Sequence, residues 1–191
     1  MSQNDDLRVR RTRKMLRDAF ITLVLEEGFE AITVNMLAER AMINRATFYR
    51  HYADKYELAE RVYADLTAEY MASVQTLDAT DPVDGWTLLF AHVAEYADFY
   101  LALLSGIPHF QERVRDQIEV QLHQVFSGMG LNEAQVDMPL PLSLRYLAAA
   151  QMGVVQWWLE TGRAIPARQM AQYLLQLHAH GAIAQLGLPK F

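Results

Sequence analysis

The sequence predicts an all-α protein on three observations. Apolar residues recur at intervals of three and four along most of the chain. Gly, Pro and capping residues punctuate these runs at helical lengths, and no sustained alternation of period two marks a strand. The chain has no internal repeat and no low-complexity tract.

The elements follow in order. Met15, Leu16, Ala19, Phe20, Leu23 and Val24 share one helical face, and Gly28 follows as a stop, so a helix is expected over roughly 8 to 26. Thr33 is a candidate N-cap for a short helix over about 34 to 41, which carries Val34, Leu37, Ala38 and Ala41. Met42 and Ile43 form a turn, and Asn44 can cap a third helix with Phe48 and Tyr52 pointing inward. Asp54 with Glu57 three residues later resembles a capping box and opens a long helix through about Val74. Beyond the punctuation of "TLDATDP", helices are expected over 82 to 105, ended by "SGIP", and 109 to 127, ended by "SGMG". Two more are expected over 141 to 161, ended by Gly162, and 166 to 186, started by Pro166.

Composition narrows the function classes. The 191 residues include no Cys, which excludes disulfides, thiolate nucleophiles and thiolate metal sites and fits a reducing compartment. The opening "MSQNDDLRVRRTRK" lacks the apolar stretch of a secretion signal, and no run reaches the roughly 20 apolar residues of a membrane span. A soluble, cytoplasmic protein without a membrane partner is expected. No HExxH, GxSxG or phosphate-binding glycine loop is present, so an enzyme is not expected, nor is any cofactor or metal. His178 and His180, two apart on a helix, point to different sides and make no metal pair.

The net charge of −6 argues against a nucleic-acid binder until its distribution is considered. Residues 1–55 hold ten Lys or Arg against eight Asp or Glu, a balance of +2, whereas residues 56–191 hold seven against fifteen, a balance of −8. Between Leu7 and Arg17 lie Arg8, Arg10, Arg11, Arg13, Lys14 and Arg17, and no acid.

The second and third helices, with their two-residue turn, make a helix-turn-helix, whose second helix reads the major groove. With Phe48 inward, Arg45, Ala46 and Tyr49 face outward near the N-terminal end of that helix. Arg45 can present two donors to the O6/N7 edge of guanine. Ala46 admits close approach or touches a thymine methyl, and Tyr49 offers a ring and a hydroxyl. Asn44 belongs with them at the cap. Thr33, Thr47, His51 and Lys55 suit phosphate oxygens.

The stretch "ITVNMLAERAMINRATFYRHYADKYEL", above all "LAERA", "TFYRHY" and "DK", resembles the DNA-binding domain of the TetR/AcrR family of transcriptional regulators. The resemblance covers about 50 residues with the first helix included. It implies that Thr33, Arg45, Ala46, Thr47, Tyr49, His51 and Lys55 occupy DNA-contacting positions, and Leu37, Ala38, Ile43 and Phe48 core positions. Two residues depart from the pattern: Met42 stands where the family usually has Gly, and Met36 where it often has an acid. Residues 80–191 resemble the family's ligand-binding and dimerisation domain in architecture, and "GVVQWWLETG" is similar to a stretch near the dimer helix of some members.

The expected organisation is therefore a DNA-binding domain over 1–55, a connecting helix over 56–79, and a helical ligand-binding and dimerisation domain over 80–191. Apolar residues fall on more than one side of the last two helices: Leu144, Leu147, Ala148, Gln151, Val155 and Trp158, then Met170, Tyr173, Leu174, Leu177 and Ile183. Their pairing across a two-fold axis into a four-helix bundle is the simplest closure. His92, Tyr96, Phe99, Tyr100, His123 and Trp157 are aromatic residues with polar tips that could line an effector pocket, although ordinary packing is the simpler reading of each alone. The expectation is a homodimeric repressor released from a palindromic operator in double-stranded DNA by an unknown small molecule. The alternative is a helical scaffold or interaction protein without ligand control, which leaves the outward Arg45, Thr47, Tyr49 and His51 unexplained.

Overall fold

The structure is a computed structural model, and it describes residues 3–78, 81–128, 130 and 138–181. The described residues form helices only: α1 (Gln3–Glu27), α2 (Val34–Arg40), α3 (Arg45–Tyr49), α4 (Lys55–Gln75), α5 (Pro82–Glu95), α6 (Ala97–Gly106), α7 (Phe110–Gly128), α8 (Leu140–Glu160) and α9 (Ala167–His180). None of them is singly long and apolar enough to cross a membrane. Contacts divide the chain into two compact units: Met1–Thr76 with Asp98–Ile107, and Leu77–Ala97 with Pro108–Phe191. The sequence suggested boundaries at 55 and 79; the contacts instead group the long helix α4 and most of α6 with the N-terminal helices.

In the first unit, α1 buries Leu16, Phe20, Leu23 and Val24 and ends at Gly28, whose φ of 75° suits the residue after a helix. Phe20 is the hub, edge-on to Phe29 at 6.2 Å and to Phe99 of α6 at 5.8 Å. Gly106 ends α6 where a Cβ would come within 3.1 Å of the Phe29 side chain, so a larger residue there would require Phe29 to shift by a few tenths of an ångström. Lower down, Leu37, Ala38, Ala41, Phe48, Tyr52, Leu58, Val62 and Leu66 are all buried. Ile43 is half-buried.

The turn between α2 and α3 has Schellman geometry. Ile43 N donates to Ala38 O at 2.9 Å and Met42 N to Glu39 O at 3.0 Å. That pattern needs a left-handed residue, and Met42 supplies it with φ 53° while its side chain stands 85% exposed. Met42 therefore carries a backbone cost that no burial offsets. Met42→Gly is expected to stabilise the protein by roughly 0.5–1 kcal/mol in a denaturant melt. Destabilisation would show that the Met42 side chain contributes packing after all.

In the second unit, Asp81 caps α5, accepting from Val83 N at 2.9 Å. Arg168 of α9 donates to Asp84 Oδ1 at 2.7 Å and to Asp81 Oδ2 at 2.8 Å, joining the starts of α9 and α5. Phe90 packs edge-on to Trp158 at 5.1 Å, and Trp158 Nε1 donates to Ile165 O at 2.8 Å. Arg145 of α8 bridges Asp116 and Glu119 of α7.

Two sequence expectations change. The helix expected over 82–105 is two, broken at Tyr96 (φ −113°, ψ 27°). No Gly or Pro marks this break, and its cause is tertiary. Residues before it bury Phe90 and Val93 in the second unit, and residues after it bury Phe99 and Leu103 in the first. The last helix ends at Gly181, φ 75°, rather than at 186, and Ile183 lies outside the described residues. Of the apolar residues expected on more than one side of the last two helices, Leu144, Ala148, Trp158, Met170 and Leu174 are buried within the chain itself. The exposed apolar stripe of α8 is a different one: Leu142 at 57%, Tyr146 at 63% and Trp157 at 50%, with exposed Ala149 and Gly153 between them. These positions lie four, seven, eleven and fifteen residues from the first, within about a quarter of the helix circumference.

Candidate nucleic-acid interface

The helix-turn-helix is held by three side-chain caps. Thr33 Oγ1 accepts from Met36 N at 3.3 Å, which leaves the hydroxyl proton free to donate outward. Asn44 Oδ1 accepts from Thr47 N at 2.7 Å and from Thr47 Oγ1 at 2.9 Å, and Thr47 Oγ1 in turn accepts from Arg50 Nη2 at 3.0 Å. Asp54 Oδ1 accepts from Tyr56 N and Glu57 N, and Glu57 returns to Ala53 N at 2.6 Å. The expected capping box is therefore shifted by one residue on its return arm. Met36 offers no return arm to Thr33, as the sequence indicated.

Helix α3 is only five residues long, far below the length at which an isolated helix persists in water. Phe48, fully buried, and the Asn44 cap hold it in place. With Phe48 inward, Arg45, Ala46 and Tyr49 are exposed on the other side, and Asn44 is exposed at the start. Arg45 Nη2 donates to Tyr49 Oη at 3.1 Å, with the guanidinium carbon 5.4 Å from the ring centroid. These side chains can present donors, a methyl group and an aromatic edge to a base pair.

His51 follows α3 and is half-buried. Burial pushes its imidazole pKa below the usual value, and the positive charges of Arg13 and Arg50 push it the same way. Arg13 and Arg50 supply positive charge near His51, and the three side chains together suit a phosphate. The sign of its pH response follows: free His51 is neutral near pH 7, a phosphate favours the charged ring, and binding takes up a proton. DNA affinity is expected to rise as pH falls from 7 into the range below 6.5, by at most about tenfold per pH unit for each His51 engaged. His51→Gln should flatten that dependence, and a pH profile unchanged by the substitution would remove His51 from the phosphate contacts.

Lys55, expected to suit a phosphate contact, also makes contacts within the chain. Its Nζ donates to Phe29 O and Glu30 O, both at 3.0 Å, and lies 4.7 Å from the Phe29 ring centroid. Two of three ammonium donors thus tie the start of α4 to the loop after α1, and one remains for a phosphate. Sequence reasoning missed this tie because it depends on a loop 25 residues away.

The six effector-pocket candidates are divided between the two units. Phe99 and Tyr100 are buried in the first unit, where Tyr100 stands edge-on to Tyr63 at 6.3 Å. His92 and Tyr96 lie in the second unit with rings 5.4 Å apart, both half-buried. His123 is exposed beside Ser127, and Trp157 is half exposed on the α8 stripe. His178, expected at a solvent or interface position, is half-buried edge-on to Trp86 at 5.4 Å, and burial lowers its pKa. No group of three or more metal-ligating side chains occurs among the described residues.

Two family models match this arrangement: residues 16–62 match the bacterial regulatory proteins of the tetR family, and residues 80–179 match a transcriptional regulator C-terminal region. The chain belongs to the TetR family of transcriptional regulators. As a TetR-family protein it is a DNA-binding transcriptional regulator. Over 177 residues it is 29% identical to YxbF of Bacillus subtilis strain 168, an uncharacterized HTH-type transcriptional regulator. That match covers 90% of this chain and 45% of YxbF, so the chain spans less than half of that relative's length. The fold is similar to that of a TetR transcriptional regulator from Streptococcus agalactiae 2603V, with TM-score 0.70, 24% identity and coverage of 93% and 99% of the two chains. It is also similar to FadR of Thermus thermophilus, a TetR-family transcriptional repressor solved with lauroyl-CoA, with TM-score 0.60, 21% identity and coverage of 89% and 94%. In this TetR-family chain the left-handed turn survives without the usual Gly.

Proposed function

We propose that the protein is a repressor that binds a palindromic operator as a two-fold dimer and releases it when a largely apolar small molecule occupies its C-terminal part. The observation that carries the DNA reading is the capped, core-anchored α3, which holds Arg45, Ala46 and Tyr49 outward. One such helix offers too few base contacts for high specificity, so two are required, about 34–36 Å apart or a multiple of that. The exposed stripe of Leu142, Tyr146 and Trp157 supports self-association, because its small central residues Ala149 and Gly153 admit a second helix closely.

Two things support a ligand. His92 and Tyr96 form a half-buried aromatic pair with polar tips in the second unit, and the similarly folded FadR of Thermus thermophilus carries an acylated ligand. Such a molecule releases DNA only by binding the DNA-incompetent state more tightly, and a coupling of about 1–3 kcal/mol weakens the complex roughly 5- to 150-fold.

Selection of duplexes from a random library by the full-length protein, with sedimentation of the complex, tests the DNA reading. A palindromic motif bound by two protomers is expected. A single half-site bound tightly by a monomer at micromolar concentration would overturn the dimer. Lauroyl-CoA is the first effector probe, and by reciprocity operator DNA must weaken its binding by the factor by which it weakens DNA binding. Equal affinity for free and operator-bound protein would remove it as an inducer.

A further inference from the structure

We propose that Tyr49 is a positioning residue: its hydroxyl holds the Arg45 guanidinium in one orientation, and this sets the preference for guanine at the base pair Arg45 reads. The inference rests on the reading of α3 as a DNA-contacting helix. Three contacts make a chain from the core to the guanidinium. Buried Phe48 meets the Tyr49 ring edge-on, at 5.5 Å between centroids and 88° between planes. The ring is thereby seated although Tyr49 itself is exposed. Its hydroxyl oxygen accepts from Arg45 Nη2 at 3.1 Å, and the guanidinium carbon stays 5.4 Å from the ring centroid.

The donor geometry shows why this orients Arg45 without disabling it. A guanidinium has two edges that each present a pair of parallel N–H donors, Nε with Nη2 and Nη2 with Nη1, and the two edges share Nη2. Whichever Nη2 hydrogen points at Tyr49, the edge that does not use it keeps both donors. One edge is thus spent on Tyr49 and the other stays whole for the O6/N7 pair of guanine. Ala46, adjacent and small, leaves room for the base edge. An Arg held this way loses less side-chain freedom when it meets DNA, and immobilising one such side chain typically accounts for about a 2- to 12-fold change in affinity.

The test uses the full-length protein and the duplex enriched from a random library, together with duplexes carrying each other base pair at the guanine that Arg45→Ala ceases to prefer. Affinities are measured for wild type, Arg45→Ala, Tyr49→Phe and the double variant. Tyr49→Phe keeps the ring on Phe48 and removes only the hydroxyl. It is expected to lose about 2- to 12-fold on the guanine duplex, to lose little on the others, and to cost nothing further when Arg45 is already Ala. A Tyr49→Phe loss equal on all duplexes, a loss that persists in the Arg45→Ala background, or no loss at all overturns the positioning role. No enriched motif, or an Arg45→Ala protein with the wild-type base preference, overturns the base-reading assignment and this inference with it. The readout is a ratio of two affinities in the same protein, so a change in folded fraction does not imitate it.

Discussion

Trp157→Glu is expected to convert the protein into a monomer at micromolar concentration and to reduce its affinity for a palindromic duplex by about 30- to 1000-fold. That range corresponds to the 2–4 kcal/mol of a single anchor residue at an interface. The side chain is half exposed, on the same stripe as Leu142 and Tyr146, so the substitution opens no cavity within the protomer. The melting temperature should lose its dependence on protein concentration, because mass action ceases to contribute. Affinity for a lone half-site should change little, which separates loss of the dimer from loss of the reading helix. If both Trp157→Glu and Tyr146→Glu sediment as dimers, the α8 stripe is not the seam.

Lys55→Met carries the second large effect. The substitution keeps the aliphatic stem and removes the ammonium that spans Phe29 O and Glu30 O. Bonds from a charged donor contribute about 1.5–3 kcal/mol each when buried, and these are only partly so, which makes a loss of about 2 kcal/mol the expectation in a denaturant melt. The variant should also bind all duplexes more weakly, with the slope of log affinity against log salt reduced by about one unit if the third donor meets a phosphate. An unchanged melt with a reduced slope would return Lys55 to the purely phosphate role that its place in the sequence suggests. An unchanged slope with a lowered melt would make it purely structural.

The two halves of the chain were unequally legible. Thr33, Asn44 and Asp54 are caps whose chemistry is local, so the starts of α2, α3 and α4 could be placed from residue type and spacing. Phe48 could be turned inward for the same reason, since a helix this short has one buried side, and Tyr52, expected on that helix, is buried just beyond its end. The break at Tyr96 had no local signal, because what ends α5 there is competition between two cores for the residues on either side. The end of the last helix at Gly181 does carry one, a glycine with φ 75° inside a run whose apolar periodicity continues beyond it. On α8 apolar residues occupy most of the circumference, and only packing shows which stripe the chain consumes and which it leaves outside.

The arrangement of α3 separates two kinds of selection on neighbouring residues. Folding depends on Asn44, Phe48 and the hydrogen bonds of Thr47, whereas Arg45, Ala46 and Tyr49 stand outside the core. Exchanges at those three positions should therefore alter which DNA is chosen at little expense to the fold. A duplicated copy of the gene could drift to a new operator through them while Asn44 and Phe48 stay fixed. The same separation makes the helix a graft site: transplanting the three outward residues of another regulator onto α3 should move that regulator's DNA preference into this scaffold, with the Phe48 seat retained.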